Sequence, residues 1–342
     1  MLAGVATYVA QSWNDLADRL YAESWQAPLG RFRSKFAFRG MQDAAADLST
    51  SLSRLGGPYA RQENHLLRNF RKYAHRDAVP GDSTWNWLSL AQHHGLPTRL
   101  LDWSFSPFVA LHFATHDFER FDRDGVVWCV DYIAAHKMLP ARLRKLLRSE
   151  QADVFTAEML EREAETLPAL DRLAPRRPFV LFLEPPSLDE RIVNQYALFS
   201  LMSSPTAQMD RWIAAHPKLS TKIVIPSKLK WEVRDKLDQA NITERVLFPG
   251  LDGLSRVLKR YYSPRNVAAR KRGSNDDIDQ GQEPDPEDAR GGDGGRGRRA
   301  VKPSRRAGAS SAHDGNGTFR SVGGGRKRRR PPTRSGRAAR GT

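Results

Sequence analysis

One cysteine, Cys129, in 342 residues excludes an internal disulfide framework and any cysteine-rich zinc site. No apolar run approaches the ~20 residues that span a bilayer. A Walker-type phosphate loop, a dinucleotide-binding glycine fingerprint and a Gly-x-Ser-x-Gly elbow are all missing, so kinase, dehydrogenase and α/β-hydrolase chemistries fall away. The opening MLAGVATYVAQSW lacks a basic leader and turns polar quickly, so no cleaved export signal is expected. These absences point to a protein of the reducing cytoplasm with no membrane span.

What the chain does have is positive charge, and it is unevenly spread. Of the net +16, residues from Ser263 onward supply 20 Lys/Arg against 9 Asp/Glu, about +11, which leaves about +5 for residues 1–262. The composition breaks after Tyr261-Tyr262. An acidic patch from Asp276 to Asp288 is followed by glycine-rich arginine stretches and the block Arg326-Lys327-Arg328-Arg329-Arg330. Large hydrophobes almost vanish there, too few to offset the entropy of ordering. Residues 263–342 are expected to be a disordered Arg/Gly-rich basic tail. Its charge suits nucleic acid or another polyanion, or a membrane surface, through counterion release; a solubilising extension has the same composition.

Residues 8–262 read as one domain. RFRSKFAFRG alternates Phe32, Phe36 and Phe38 before a glycine, which suits a strand. DAAADLSTSLSRL and PYARQENHLLRNFRKYAHRD are helical by pattern, and TWNWLSLAQHHG is a helix capped by Thr84 and stopped at Gly95. LPTRLLDWS is a strand, SPFVALHFATHDFERF a helix with Pro107 in its first turn, and DGVVWCVDY a strand apolar on both faces. Residues 140–170 look like a mobile helical stretch. FVLFLEPP, the end of RIVNQYALFSLMS and TKIVIPSKL are strands, and KWEVRDKLDQANI and LFPGLDGLSRVLKRYY are closing helices. Strands and helices mix without regular βαβ alternation, so the expected class is α+β with one mixed sheet.

Several segments together resemble the FRG domain family, named for its Phe-Arg-Gly signature. They are Phe38-Arg39-Gly40 with Gln42 behind it, the block AQHHGLPTRLLDWSFSPFVALHFA (residues 91–114), RIVNQYALFS (191–200) and ITERVLFPGLDGL (242–254). The tripeptide alone says nothing; the long block carries the resemblance, which runs over most of residues 30–258. The motif order also resembles the ADP-ribosyltransferase layout, in which an arginine, a Ser-Thr-Ser strand end and a glutamate-bearing motif surround NAD. That resemblance implies an ADP-ribosyltransferase-like fold, with NAD as substrate, a protein as acceptor and no metal.

Under this reading Arg39 clamps phosphate, since a guanidinium binds a diphosphate bidentately. Ser104 and Ser106 line a ribose pocket, and Gln195, on a late strand, contacts the ribose hydroxyl. Arg39 and Gln195 are the candidate catalytic residues; His93, His94, Arg99, Asp102, Ser104 and Ser106 join them as candidate ligand contacts. Active transferases carry glutamate where this chain has neutral Gln195, with Ala197 two residues on. Losing that charge facing a cation-like centre costs about 3–4 kcal/mol of barrier, unless Glu184 or Asp102 substitutes.

Each residue also has a structural alternative. Arg39 could pair with Asp102, Asp102 with Arg99, and Ser104 and Ser106 could cap the following helix. Gln195 could bond backbone inside the core, and Trp85, Trp87 and Trp103 could pack there. His112 and His116 share a helix face at i,i+4 without a zincin glutamate between them. Two other functions stay open: a non-catalytic binding module tethered to nucleic acid by the tail, and a metal hydrolase built on Asp102, Glu184 and histidines.

Overall fold

Gly125–Asp131 is buried at all seven positions, as its apolar character on both faces requires of a central strand. The computed structural model describes residues 4–74 and 82–264. Its strands are β1 (Ala6–Val9), β2 (Trp25–Gln26), β3 (Arg31–Phe32), β4 (Phe36–Met41), β5 (Leu100–Ser104), β6 (Gly125–Asp131), β7 (Val180–Leu183), β8 (Ala197–Met202) and β9 (Ser220–Ile225). β2 and β3 form a small ribbon, and the other seven make one mixed sheet in the order β1-β9-β6-β4-β5-β8-β7. β1 runs parallel to β9; the other neighbours in this sheet are antiparallel. The fold is α+β. No helix among the described residues is long and apolar enough to cross a membrane. Of the expected tail, only Ser263 and Pro264 fall within the described residues.

The join between β4 and β5 decides where a ligand can enter. These strands share one register pair, Phe38 opposite Ser104, whereas β4 pairs with β6 at six positions and β5 with β8 at five. Beyond Phe38 and Ser104 the sheet parts. On the face that holds Phe38, Ser104 and Phe199, the core is correspondingly divided. Val127, Cys129 and Ile223 pack with residues of the helices Trp13–Tyr21, Pro107–Thr115 and Lys230–Gln239. Leu100, Leu181 and Leu201 pack with residues of the helices Tyr59–Ala74, Thr84–His93, Ala141–Ser149, Ala157–Glu163 and Leu167–Asp171. The opposite face carries one continuous cluster that includes Ala37, Leu101, Trp103, Trp128, Phe182 and Leu198. The sheet is thus sealed on one side and notched on the other.

Local chemistry explains where expectation and structure differ. DAAADLSTSLSRL forms no α-helix and ends in a 3-10 turn at Ser53–Leu55. Asp43, Asp47 and Thr50 accept the backbone N–H groups of Ala45, Ser49 and Ser53, offering the chain partners that compete with helical ones. Ser83, not Thr84, caps the helix Thr84–His93, accepting from Asn86 N at 3.1 Å. The helix begun by Pro107 stops at Thr115 instead of running to Phe121. The segment 140–170 is helical but firmly seated, with Leu143, Leu160, Leu167 and Leu170 at most 1% exposed. The helix Tyr59–Ala74 ends where residues 75–81 leave the described set.

His136 makes the core sensitive to acid. It is buried, its Nδ1 donates to Asp153 O at 2.7 Å, and its Nε2 accepts from Phe182 N at 2.9 Å, so the ring is held neutral. Burial lowers its pKa to about 4. Between the unfolded value near 6.5 and that lower value, the unfolded chain takes up a proton that the folded chain refuses. Stability therefore falls as pH drops through this window. Two pH values in it, about 6.5 and about 5, should differ by about 2 kcal/mol on this account. Urea midpoints across the window, compared with His136→Gln, should show a shallower slope in the variant. Equal slopes would remove His136 as the cause.

Candidate functional site

Where β4 and β5 separate, a cleft of about 230 Å³ opens. β4 lends it Phe38, Arg39 and Gly40, β5 lends Asp102, Trp103 and Ser104, and β8 lends Ala197 and Phe199. The helix Thr84–His93 adds Gln92 and His93, the helix Pro107–Thr115 adds Phe113, and the short helix Glu190–Asn194 with the residue after it adds Arg191, Ile192 and Gln195.

Gly40 is what lets the two sides meet. A Cβ there would lie 1.7 Å from the Ala110 carbonyl oxygen and 2.8 Å from Ala114 N, so the helix Pro107–Thr115 rests directly on the strand backbone. Ser106 caps that helix through Val109 N at 3.4 Å and does not line the cleft.

Arg39 lies in the gap of the split sheet. One Nη donates to the Asp102 carbonyl, which the parted strands leave without a strand partner. The Asp102 carboxylate stays farther off, at 3.9 Å, and is instead held by Gln92 Nε2 at 3.0 Å to both oxygens. The Arg39 side chain is 20% exposed, and its Nε is enclosed with no hydrogen-bond partner. Burial pulls its pKa down, Asp102 pulls it up and Arg54 adds to the lowering; a guanidinium stays charged throughout. The cleft is therefore lined by a largely buried cation.

The remaining walls are fixed by hydrogen bonds. Ser104 Oγ donates to Gln195 O at 2.8 Å and accepts from Ser106 N at 2.9 Å, so this serine locks the wall as well as lining it. Gln195 ends the helix Glu190–Asn194 and is not on β8; Tyr196, at φ +48°, separates it from the strand. The expectation of a late-strand glutamine is corrected by this short helix, which Asp189 caps through Ile192 N at 3.0 Å. Gln195 Nε2 donates to Leu247 O at 2.9 Å, and Asn194 Nδ2 to Val246 O at 2.8 Å. Those carbonyls belong to a segment anchored by a buried network: Arg260 bonds Glu244 and Asp238, and Arg234 bonds Asp238 and His112. His93 meets Asp189 Oδ2 at 2.7 Å through Nε2, and burial lowers its pKa. It is neutral at pH 7 and donates to Asp189.

Other expected residues fall elsewhere. Arg99 does not reach the cleft: it is 3% exposed, bonded to both carboxylate oxygens of Glu63 and, at 2.6 Å, to Asp171. It ties two helices to the start of β5. Arg99→Met leaves Glu63 buried and unpaired, at an expected cost of about 3–5 kcal/mol, and Glu63→Leu in the same chain should restore most of it. Urea midpoints of the single and double variants check this; a double variant as weak as the single would refute it. His94 is exposed and packs against Phe70 and His93, outside the cleft. Glu184 does not line the cleft either. Trp85 and Trp87 are buried, and Trp103 donates its indole N–H to Ser200 at 2.8 Å.

His112 accepts from Arg234 at Nδ1, 2.9 Å away, so its lone pair already faces a cation. Among the described residues, no group of three or more His, Cys, Asp or Glu is placed to hold a metal. Gln92, Asp189, Arg191 and Phe113 belong to the cleft or its rim without being marked as site residues by the sequence. Gln92, Arg191 and Phe113 lie inside the motif segments quoted above, but only proximity to Arg39 or Gln195 distinguishes them.

Comparison with known proteins adds a family and nothing finer. Residues 34–123 match the family model described as the FRG domain, a span that holds β4, β5 and the helix Pro107–Thr115 and ends before β6. No curated protein and no solved structure matches the chain. The span that is similar to an FRG domain therefore includes β4 and β5, the two strands that part beside Arg39 and Gly40.

Proposed function

We propose that the cleft binds NAD or a related nucleotide and that the domain is ADP-ribosyltransferase-like, with a protein as the acceptor. The observation that carries this reading is Arg39: a largely buried guanidinium in the gap of the sheet that lines the cleft and keeps 20% of its side chain exposed. The 20% of the side chain that stays exposed is where a diphosphate oxygen reaches the guanidinium, and a charge-assisted bond there is worth about 1.5–3 kcal/mol. Arg191 brings a second positive charge to the same cleft.

A cleft of about 230 Å³ encloses part of a dinucleotide. The rest extends past Arg191, which also lines a depression of about 440 Å³ with Phe248, Pro249 and Arg256. Ser104, Gln195 and His93 surround the enclosed part. With Nε2 of Gln195 given to Leu247 O, its Oε1 is the atom left to accept from a ribose hydroxyl.

That same bond favours a second reading, a binding module without turnover. Gln195 is neutral and half committed to a wall, whereas stabilising an oxocarbenium-like centre calls for a free negative charge. The basic tail would then tether the module to nucleic acid. Calorimetric titration of NAD into the full chain, with an assay for transfer or hydrolysis, tests both readings. Binding with turnover supports the transferase, and binding without turnover supports the module. No binding by folded protein removes the NAD reading.

A further inference from the structure

We propose a second ligand site, separate from the cleft, that takes a nucleoside di- or triphosphate. An open surface depression of about 430 Å³ lies beside the helices Tyr132–His136 and Ala141–Ser149. Its lining includes the apolar Ile133, Leu147 and Ala152 together with Lys137, Arg144 and Arg148. The volume is within the ~300–1,000 Å³ common for small-molecule sites.

The cations are the informative part. Arg142 and Arg162, close by in the chain, are paired with Glu163 and Glu150. Lys137, Arg144 and Arg148 make no ion pair among the described residues. Arg144 and Arg148 are four apart on one helix, a spacing at which like charges repel by about 0.2–0.5 kcal/mol. Three exposed cations thus line one hollow that holds a single carboxylate, Asp153, an excess of positive charge that an anion can neutralise. The neutral His136 cannot add to the charge, because both ring nitrogens are engaged.

Apolar surface and cationic side chains in one depression fit a ligand with a flat apolar body and several negative charges. Arg144 and Arg148 can each bind phosphate oxygens bidentately, Lys137 adds a point charge, and Leu147 and Ile133 offer area to a base. A purely inorganic polyphosphate would use the charges and leave the apolar wall idle. A nucleic-acid backbone calls for an extended positive track instead of a hollow.

The test titrates ATP into the full chain, with tripolyphosphate and adenosine as partial probes. Charge reversal of two exposed side chains, Arg144→Glu with Arg148→Glu, should weaken ATP by at least about 100-fold. The same reversal at Arg176 and Arg177, also outside the core and absent from the lining of the depression, controls for net charge and should cost no more than about threefold. ATP should bind at least about tenfold more tightly than tripolyphosphate. Equal losses in both double variants would reduce the effect to long-range attraction and overturn the site. Equal affinity for ATP and tripolyphosphate would overturn the nucleotide assignment. Loss of ATP binding in Arg39→Ala, with the Arg144/Arg148 variant unaffected, would assign the nucleotide to the cleft and end the proposal.

Discussion

Arg39→Ala should weaken NAD binding by the full chain about 100- to 1,000-fold while leaving the domain folded. A charge-assisted hydrogen bond is worth about 1.5–3 kcal/mol; two such bonds at the lower end of that range, about 3–4 kcal/mol together, give the 100- to 1,000-fold loss. Against that, the folded chain loses the bond from Arg39 to the Asp102 carbonyl, which costs about 1 kcal/mol of stability. Part of this returns because an enclosed Nε without a partner disappears as well. Arg39→Lys separates charge from geometry: a lysine keeps the positive charge but presents it as a point, so an intermediate loss of about 10- to 30-fold is expected. Calorimetry on the three proteins, with far-UV circular dichroism as the fold control, gives the answer. NAD binding unchanged in Arg39→Ala would refute the role given to this side chain.

What the sequence reveals of this fold depends on the kind of information each residue carries. β6 is readable because burial on both faces leaves an uninterrupted apolar run, and the helix from Pro107 because proline and a preceding serine mark a start. The segment Asp43–Leu55 misleads because its helical spacing is real, while Asp43, Asp47 and Thr50 spend it on local side-chain bonds that no periodicity records. The site divides in the same way. Arg39, Asp102 and Ser104 are legible because the strands that carry them are. Arg99 looks equal to Arg39, since an arginine three residues from an aspartate is equally polar whether it faces a cleft or a buried glutamate 36 positions earlier. Gln195 looks like a strand residue because apolar residues follow it; one residue with positive φ, Tyr196, turns it onto a helix end instead.

Gly40→Ala should destabilise the domain by about 3 kcal/mol and weaken NAD binding beyond what partial unfolding explains. The backbone at Gly40 is ordinary extended strand, so the penalty does not come from conformation. It comes from the methyl group, which meets the Ala110 carbonyl oxygen at 1.7 Å, the Ala110 carbonyl carbon at 2.7 Å and Ala114 N at 2.8 Å. These are helix backbone atoms with no rotamer to change, so the whole helix Pro107–Thr115 has to move. Overpacking of this kind costs about 1–3 kcal/mol and occasionally more. Gly95 makes the contrast: it sits at φ +79°, and a methyl group there would have nothing within 4 Å. Gly95→Ala should therefore cost only about 1 kcal/mol, through backbone conformation alone. Because Phe113 rides on the displaced helix and lines the cleft, Gly40→Ala should also weaken NAD at temperatures where the variant is still fully folded, and Gly95→Ala should not. Urea midpoints and NAD titrations of both variants decide it, and equal behaviour of the two would refute the contact argument. The glycine of Phe-Arg-Gly thus lets a helix lie on the strand, and that close approach is what gives the neighbouring arginine a cleft to face.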